Sequence, residues 1–418
     1  MQNTRYAPTK SLGTDAPSPH EGLAENSREV EIYRMPSYSE NRDLKLTNSR
    51  NLFNLGLAIL FIAQWTAVVA NPVDDTLVEL IRSEQAVGAQ AYIGEDEILV
   101  FERNYGVRSI DDKTPVDSET LFCVGSCSKP YASAAILSLV ETGVLDLHSP
   151  ISEVLPEFSN LIIAQSGKSS RAPNLLELLS HRGGIYSQKR GMNRRQARWI
   201  RDFRLPLSQS VSGIAKETLL AKPGIEYAYS GAGYCVLGRV AEVAVGDSFE
   251  EVFQHRIGQP LSFRRTTYFP ERGDRNVAAG SFKGKVNPAT PHLSNPFRLP
   301  LIGGSLYATG QESSRFARMI LQRGQFGNKQ VLTPDTLRSF LSLPFEGHPY
   351  GLGWSIRDEN GRAIELSHSG SLASSRASMR INLDNGRFGI VFYTLANPTQ
   401  SQEITKQLNR ALIQMVRQ

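Results

Sequence analysis

Strand-like segments sit near the two ends of the patterned part of this chain, with a long helical stretch between them. That placement restricts the fold more than any other feature. After Ala70, "DDTLVELIRSEQ" has helical apolar spacing, and "GAQAYIG" with "EILVFERNYG" predicts a two-stranded hairpin. From Tyr350 onward, "YGLGWSI", "AIELSHSG", "RASMRINL" and "RFGIVFYTL" read as successive antiparallel strands, and "EITKQLNRALIQMV" as a closing helix. The middle, about 126–345, reads as helices joined by Pro/Gly loops. The expected fold is therefore α+β: an antiparallel sheet built from about 86–124 and 350–418, flanking helices, and an inserted mostly helical region. No internal repeat and no second catalytic-sized domain is visible, so 71–418 reads as one domain.

The region before it differs. Residues 1–50 are rich in Ser, Asn, Pro and Glu, lack apolar periodicity, and read as a disordered polar leader. Residues 51–70 follow as a signal peptide or membrane anchor. Their uninterrupted apolar part, Leu55 to Ala63, is short for a bilayer span. Arg42, Lys45 and Arg50 precede it, and Val68-x-Ala70 resembles a small-residue cleavage site. A signal peptide fits best if translation starts at Met35; a retained anchor is the alternative. Either way the basic flank lies on the amino side, while Asp74, Asp75 and Glu79 follow. The expectation is an exported protein, periplasmic or secreted, or held at a membrane through 55–70.

Three cysteines, Cys123, Cys127 and Cys235, cannot all pair and read as buried thiols. The seven histidines are scattered, and none forms a zinc spacing. No metal is expected. Charge is concentrated between Lys189 and Arg204, where "KRGMNRRQARWIRDFR" carries seven basic residues and one acidic. That surplus exceeds the net charge of +5 of the whole chain. No nucleic-acid fold signature accompanies it, so nucleic-acid binding is not expected. Trp199, Ile200 and Phe203 among the arginines suggest an amphipathic element for an anionic lipid surface; a solvated basic helix face is the plainer alternative.

The stretch "LFCVGSCSKPYASAAILSLVETGVLDL", from Leu121, carries the chemistry. Ser126 follows an apolar strand and a glycine, then opens a long apolar helix. Lys129 stands three residues on, where helical geometry puts both on one face. Ordinary Ser and Lys frequencies give roughly one or two such pairs by chance in this length. Near a helix N-terminus the serine oxygen meets the positive end of the dipole. A lysine buried in the first turn loses its charge more readily and can take the serine proton. A serine N-cap followed by a solvated lysine fits the same residues. Cys127 is turned about 100° from the Ser126–Lys129 face. "GAGYCV" has only the first two glycines of a dinucleotide loop, and no G-x-S-x-G elbow surrounds Ser126 or Ser230.

Two further stretches weigh the pair toward chemistry: Tyr229-Ser230-Gly231 at a turn before a helix, and His368-Ser369-Gly370 at the end of a predicted strand. In these motifs and their order the sequence resembles the serine β-lactamase and penicillin-binding-protein superfamily. It looks closest to the branch of class C β-lactamases, D,D-peptidases and family VIII esterases. "TPVDSETLFCVGSCSK", "LLELLSHRGGI", "GGSLYATGQESSRFARMIL" and "YGLGWSI" extend the resemblance over nearly everything after Asn71.

The resemblance implies Ser126 as acylated nucleophile, Lys129 as its proton partner, and Tyr229 as a phenol relaying protons to the leaving group and activating water. It also implies His368, grouped with the catalytic residues, and Ser369 and Gly370 on the opposite cleft wall. Backbone N–H groups of Ser126 and Ser371 would form the oxyanion hole, and His181 would pack at a helix end. No cofactor is implied; the partner is a small-molecule acyl substrate. Two departures bear on substrate. Gly231 stands where many members have an amide-bearing Asn, and His368 where many have Lys, so a permanent cation for a substrate carboxylate is absent there. The expected activity is a serine hydrolase, an esterase before a D-amino-acid-specific peptidase, D,D-carboxypeptidase or β-lactamase. A catalytically silent ligand-binding module is the non-enzyme alternative. Oligomeric state cannot be read from these motifs.

Overall fold

The computed structural model describes residues 71–418; the leader, the 51–70 segment and Met35 lie outside the described residues. Ten α-helices are described: α1 (Pro72–Arg82), α2 (Ser128–Glu141), α3 (Leu175–Leu179), α4 (Arg194–Arg201), α5 (Leu207–Ala215), α6 (Gly231–Val245), α7 (Phe249–Phe253), α8 (Gly310–Leu321), α9 (Pro334–Phe340) and α10 (Ser401–Arg417). Six strands make the main sheet: β1 (Ala86–Glu95), β2 (Ile98–Gly106), β3 (Ser355–Glu359), β4 (Arg362–Leu372), β5 (Ser375–Asn382) and β6 (Arg387–Leu395). Among the described residues no helix is long and apolar enough to cross a membrane.

The sheet runs β3-β4-β5-β6-β1-β2, antiparallel throughout. Its centre joins the chain's two ends, because β1 pairs with β6 from Ala86↔Leu395 to Glu95↔Arg387. β1 is buried nearly end to end, as expected of a strand covered on both faces. On one face α1 and α10 lie together. Leu77 and Leu80 recur at helical spacing and pack with Leu408 and Leu412 over Ala89, Ala91 and Val391. The Asn71 side chain caps α1 by accepting from the N–H groups of Val73 and Asp74 (3.1 and 3.2 Å). The opposite face, with Tyr92, Met379, Ile390 and Phe392, packs into the large core of the helical region.

The α+β architecture agrees with the sequence pattern, but one boundary does not. The stretch to residue 124 was expected in the main sheet; Phe122–Cys123 instead pairs with Tyr307–Ala308 in a separate two-stranded ribbon. Phe122 rests against Phe392 of β6, with ring centroids 6.5 Å apart. This stretch therefore covers the sheet's face and does not extend its edge. Its backbone bonds must go to another partner in that layer. It leads directly into a buried 3₁₀ turn, Gly125–Cys127, and then into α2, whose residues from Ser128 to Leu139 are all buried.

Candidate active site

The 3₁₀ turn bearing Ser126 sits against β4 at very close range. A Cβ built on Gly125 (φ +53°) would lie 2.3 Å from the Ser371 nitrogen, and one on Gly370 would lie 1.8 Å from the Val124 oxygen. Only glycines permit this approach. It brings the backbone of Ser126 beside that of Ser371, the two groups expected to share an oxyanion. The β4 strand runs on to Leu372, so His368, Ser369 and Gly370 lie inside it and not at its end. Ser369 and Ser371 are exposed side chains on one face, as the two-residue period requires.

Ser126 is part-exposed, and Lys129 beneath it is 1% exposed. The Lys129 Nζ donates to the Gly303 carbonyl (2.6 Å) and to Ser126 Oγ (3.3 Å). Burial pulls its ammonium down to about 7, and nearby Lys189 pushes the same way. A neutral amine within reach of the serine hydroxyl is thus well populated at neutral pH. Cys127 points elsewhere: its Sγ donates to the His368 carbonyl (3.3 Å), and burial raises its thiol well above the usual range. All three cysteines are free and buried.

Tyr229 lies beside both Ser126 and Lys129, its ring centroid 4.6 Å from Lys129 Nζ. Burial pushes its phenol above the ordinary tyrosine range, while interaction with the Ser126 hydroxyl pulls it back. The group is a phenol at neutral pH. His181 holds this segment in place. Its carbonyl accepts from Ala228 N–H (2.8 Å) and its Nδ1 from Ser230 N–H (3.1 Å), so Tyr229 is clamped on both sides. The His181 ring also rests 4.2 Å from the Tyr229 ring. Ser230 then caps α6 by accepting from Gly233 N–H (3.0 Å).

His368 departs from the catalytic role. Its Nδ1 lies 2.8 Å from the Ser369 carbonyl and its Nε2 3.0 Å from the Tyr350 hydroxyl. Burial lowers its pKa to about 3, so the ring is neutral. A carbonyl only accepts, so Nδ1 carries the proton and Nε2 accepts from Tyr350. Neither nitrogen is left for proton transfer, and the residue forms wall.

The basic segment borders the cleft, but its apolar side is not available to lipid. Ile200 is buried, and Trp199 and Phe203 pack against the core. Arg195 pairs with Glu217, Arg198 and Arg204 with Asp202, and Arg190 with Glu226. Gln188, just before the segment, and Lys189, its first residue, enter the site. Gln188 Oε1 accepts from Gly231 N–H (2.9 Å), and its Nε2 would lie 3.2 Å from a Cβ on Gly231. The amide missing at 231 is therefore supplied from another loop. Lys189 places its Nζ 4.6 Å from the Tyr229 centroid, matching Lys129. Gln188 and Arg376 carry no local motif, and Lys189 and Tyr350 stand in stretches whose sequence does not assign them to the site; proximity in space is what identifies them.

Two cavities open onto Ser126. One, about 460 Å³, is walled by Gln188, Ile200, Phe203, Gly231, Leu301 and Leu372. The other, about 570 Å³, is walled by Tyr229, Tyr350, His368, Ser369 and Ser371, and reaches Arg376 and the start of α10. Among the described residues no group of His, Cys, Asp and Glu is placed to hold a metal ion.

A family model described as Beta-lactamase matches residues 73–414. Penicillin-binding protein 4 of Amycolatopsis lactamdurans is 24% identical over 291 residues, 64% of this chain and 70% of that protein. Teichoic acid D-alanine hydrolase of Staphylococcus aureus is 24% identical over 237 residues, 57% of this chain and 55% of that protein. The solved structure of EstCE1, described as a hydrolase with promiscuous acyltransferase activity, superposes with a TM-score of 0.69 at 21% identity. That match covers 82% of this chain and 97% of the other. At this identity the likeness speaks to the fold alone.

Proposed function

The chain belongs to the β-lactamase family and is a serine hydrolase, and from that premise we propose that it is an esterase working through an acyl-enzyme on Ser126. Ser126 Oγ attacks the ester carbonyl while its proton passes to the neutral Lys129 amine. The N–H groups of Ser126 and Ser371 hold the resulting oxyanion. The C–O bond to the alcohol breaks, and the departing oxygen takes a proton relayed from Lys129 through the Tyr229 phenol. Water then loses a proton back along the same route and attacks the acyl carbon. Ser126 is released with its proton and the acid departs, so one ester and one water give one acid and one alcohol.

Tyr229 and His368 line the second cavity, so the alcohol lies there and the acyl group in the first. That acyl cavity carries the ester reading: Ile200, Phe203, Leu301 and Leu372 give it apolar walls suited to a short aliphatic chain, with Arg201 as a charged residue among them. The neutral, fully engaged His368 supports it further, because no cation at that strand position stands ready for the carboxylate of a β-lactam. A second reading, D-amino-acid-specific peptidase, draws on the Gln188 amide beside Gly231, which could bind a substrate amide. The deciding measurement is kcat/KM for p-nitrophenyl butyrate beside a D-alanyl peptide and a chromogenic cephalosporin. The butyrate should win by at least an order of magnitude; a faster peptide would hand the assignment to the second reading.

A further inference from the structure

The two cavities at Ser126 differ in kind. The first has aliphatic walls in Ile200, Leu301 and Leu372. Among the described residues no Leu, Ile, Val, Met or Ala lines the second. Its apolar surface is aromatic. Tyr229 and Tyr350 are buried in its wall. Beside them Tyr227 stacks on His348, with ring centroids 3.6 Å apart and planes 11° from parallel, and both rings are half-buried. Much of the remaining wall is hydroxyl and amide: Ser369 and Ser371 from β4, Ser401 and Gln402 from the first turn of α10. None of these four side chains has a hydrogen-bond partner among the described residues, and all but Ser401 are exposed.

An alkyl alcohol would fit this space poorly. It would strip water from the hydroxyls and the amide without replacing a bond, and would meet no aliphatic side chain in return. A sugar ring presents both kinds of surface that the cavity matches. Its C–H bonds, slightly positive, lie well on the negative face of an aromatic ring. Its hydroxyls donate and accept, as serine hydroxyls and a glutamine amide do. Lys189 and Arg376, in the same wall, can only donate, and sugar hydroxyls accept from them. We infer that the alcohol half of the substrate is a sugar, so that the enzyme removes a short acyl group from a carbohydrate. One sugar ester and one water then give the free sugar hydroxyl and one short acid. This rests on the esterase reading and on the alcohol lying on the Tyr229 side.

The test compares butyrates of primary alcohols that each carry a six-membered ring: methyl 6-O-butyryl-glucopyranoside, cyclohexylmethyl butyrate and benzyl butyrate. Each kcat/KM is divided by that ester's rate of hydrolysis by hydroxide, which removes the difference between leaving groups. The sugar ester should lead both others roughly tenfold, the scale of two neutral hydrogen bonds. Its lead over the cyclohexylmethyl ester should shrink about threefold or more in Tyr227→Leu and hold in Tyr227→Phe, which keeps the ring. If Tyr227→Leu does not fold, the order of the three esters in the wild-type protein still decides. Turnover of p-nitrophenyl butyrate with the sugar ester no faster than either companion overturns the sugar site alone, as does an unchanged lead in a folded Tyr227→Leu. No turnover of p-nitrophenyl butyrate overturns the esterase reading and this inference with it.

Discussion

At the scale of single residues, the decisive contact is 3.3 Å between Lys129 Nζ and Ser126 Oγ. The same burial that makes the lysine a usable base ties activity to its titration. Protonated Lys129 cannot accept the serine proton, so kcat/KM should rise with pH through about 7 and level off above it. Tyr229 is held above the ordinary tyrosine range, so no falling limb is expected until strongly alkaline pH. A flat profile from pH 6 to 8 would remove Lys129 from the base role. Ser126→Ala should abolish both turnover and fluorophosphonate labelling without unfolding the protein. Lys129→Ala should cost roughly a thousandfold in kcat, since members of one catalytic unit do not contribute additively.

At the scale of elements, the site exists because β4 presses on the 3₁₀ turn ahead of α2. That contact is largely backbone on backbone, permitted by Gly125 and Gly370, with the Cys127 thiol adding a hydrogen bond to the His368 carbonyl. Gly370→Ala would drive a Cβ to 1.8 Å from the Val124 oxygen, so the strand must move away from the turn. Losing the Ser371 donor from the oxyanion hole in this way should lower kcat a hundredfold or more. Labelling of Ser126 should slow in parallel, while binding in the apolar acyl cavity changes less. A Gly370→Ala protein with wild-type kcat would refute the placement of the oxyanion hole. The loop from Gln188 to α4 is the second such device. Arg190, Arg195, Arg198 and Arg204 are paired with Glu226, Glu217 and Asp202, and its apolar residues are turned inward, so it builds cleft wall.

At the scale of the whole molecule, burying neutral imidazoles sets an acid limit. His368 stays unprotonated in the folded state down to about 3 and His181 is lowered in the same direction, whereas an unfolded histidine charges below about 6.5. The folded state then binds fewer protons, so stability falls as pH drops from about 6.5 towards 3. Each such group contributes about 1.4 kcal/mol per pH unit. In urea unfolding between pH 6 and 4, His368→Gln should show a shallower loss of stability with acid than wild type; equal slopes would contradict it. The linear order of residues decided a good deal here. Alternation of period two at both ends called for the antiparallel sheet, because side chains on a strand must face opposite ways. Ser126 and Lys129 are three residues apart, close enough in sequence for local helical geometry to join them. His368 was legible as a cleft residue without a permanent charge, but not as one with both ring nitrogens engaged, since its partner Tyr350 sits on a separate segment. Gln188 beside Gly231 and Arg376 in the second cavity had no signal at all, and Lys189 over Tyr229 was legible only as the start of a basic segment. Each is set by how distant segments meet, and only tertiary packing determines which side chains share a cavity and which charges lose their water.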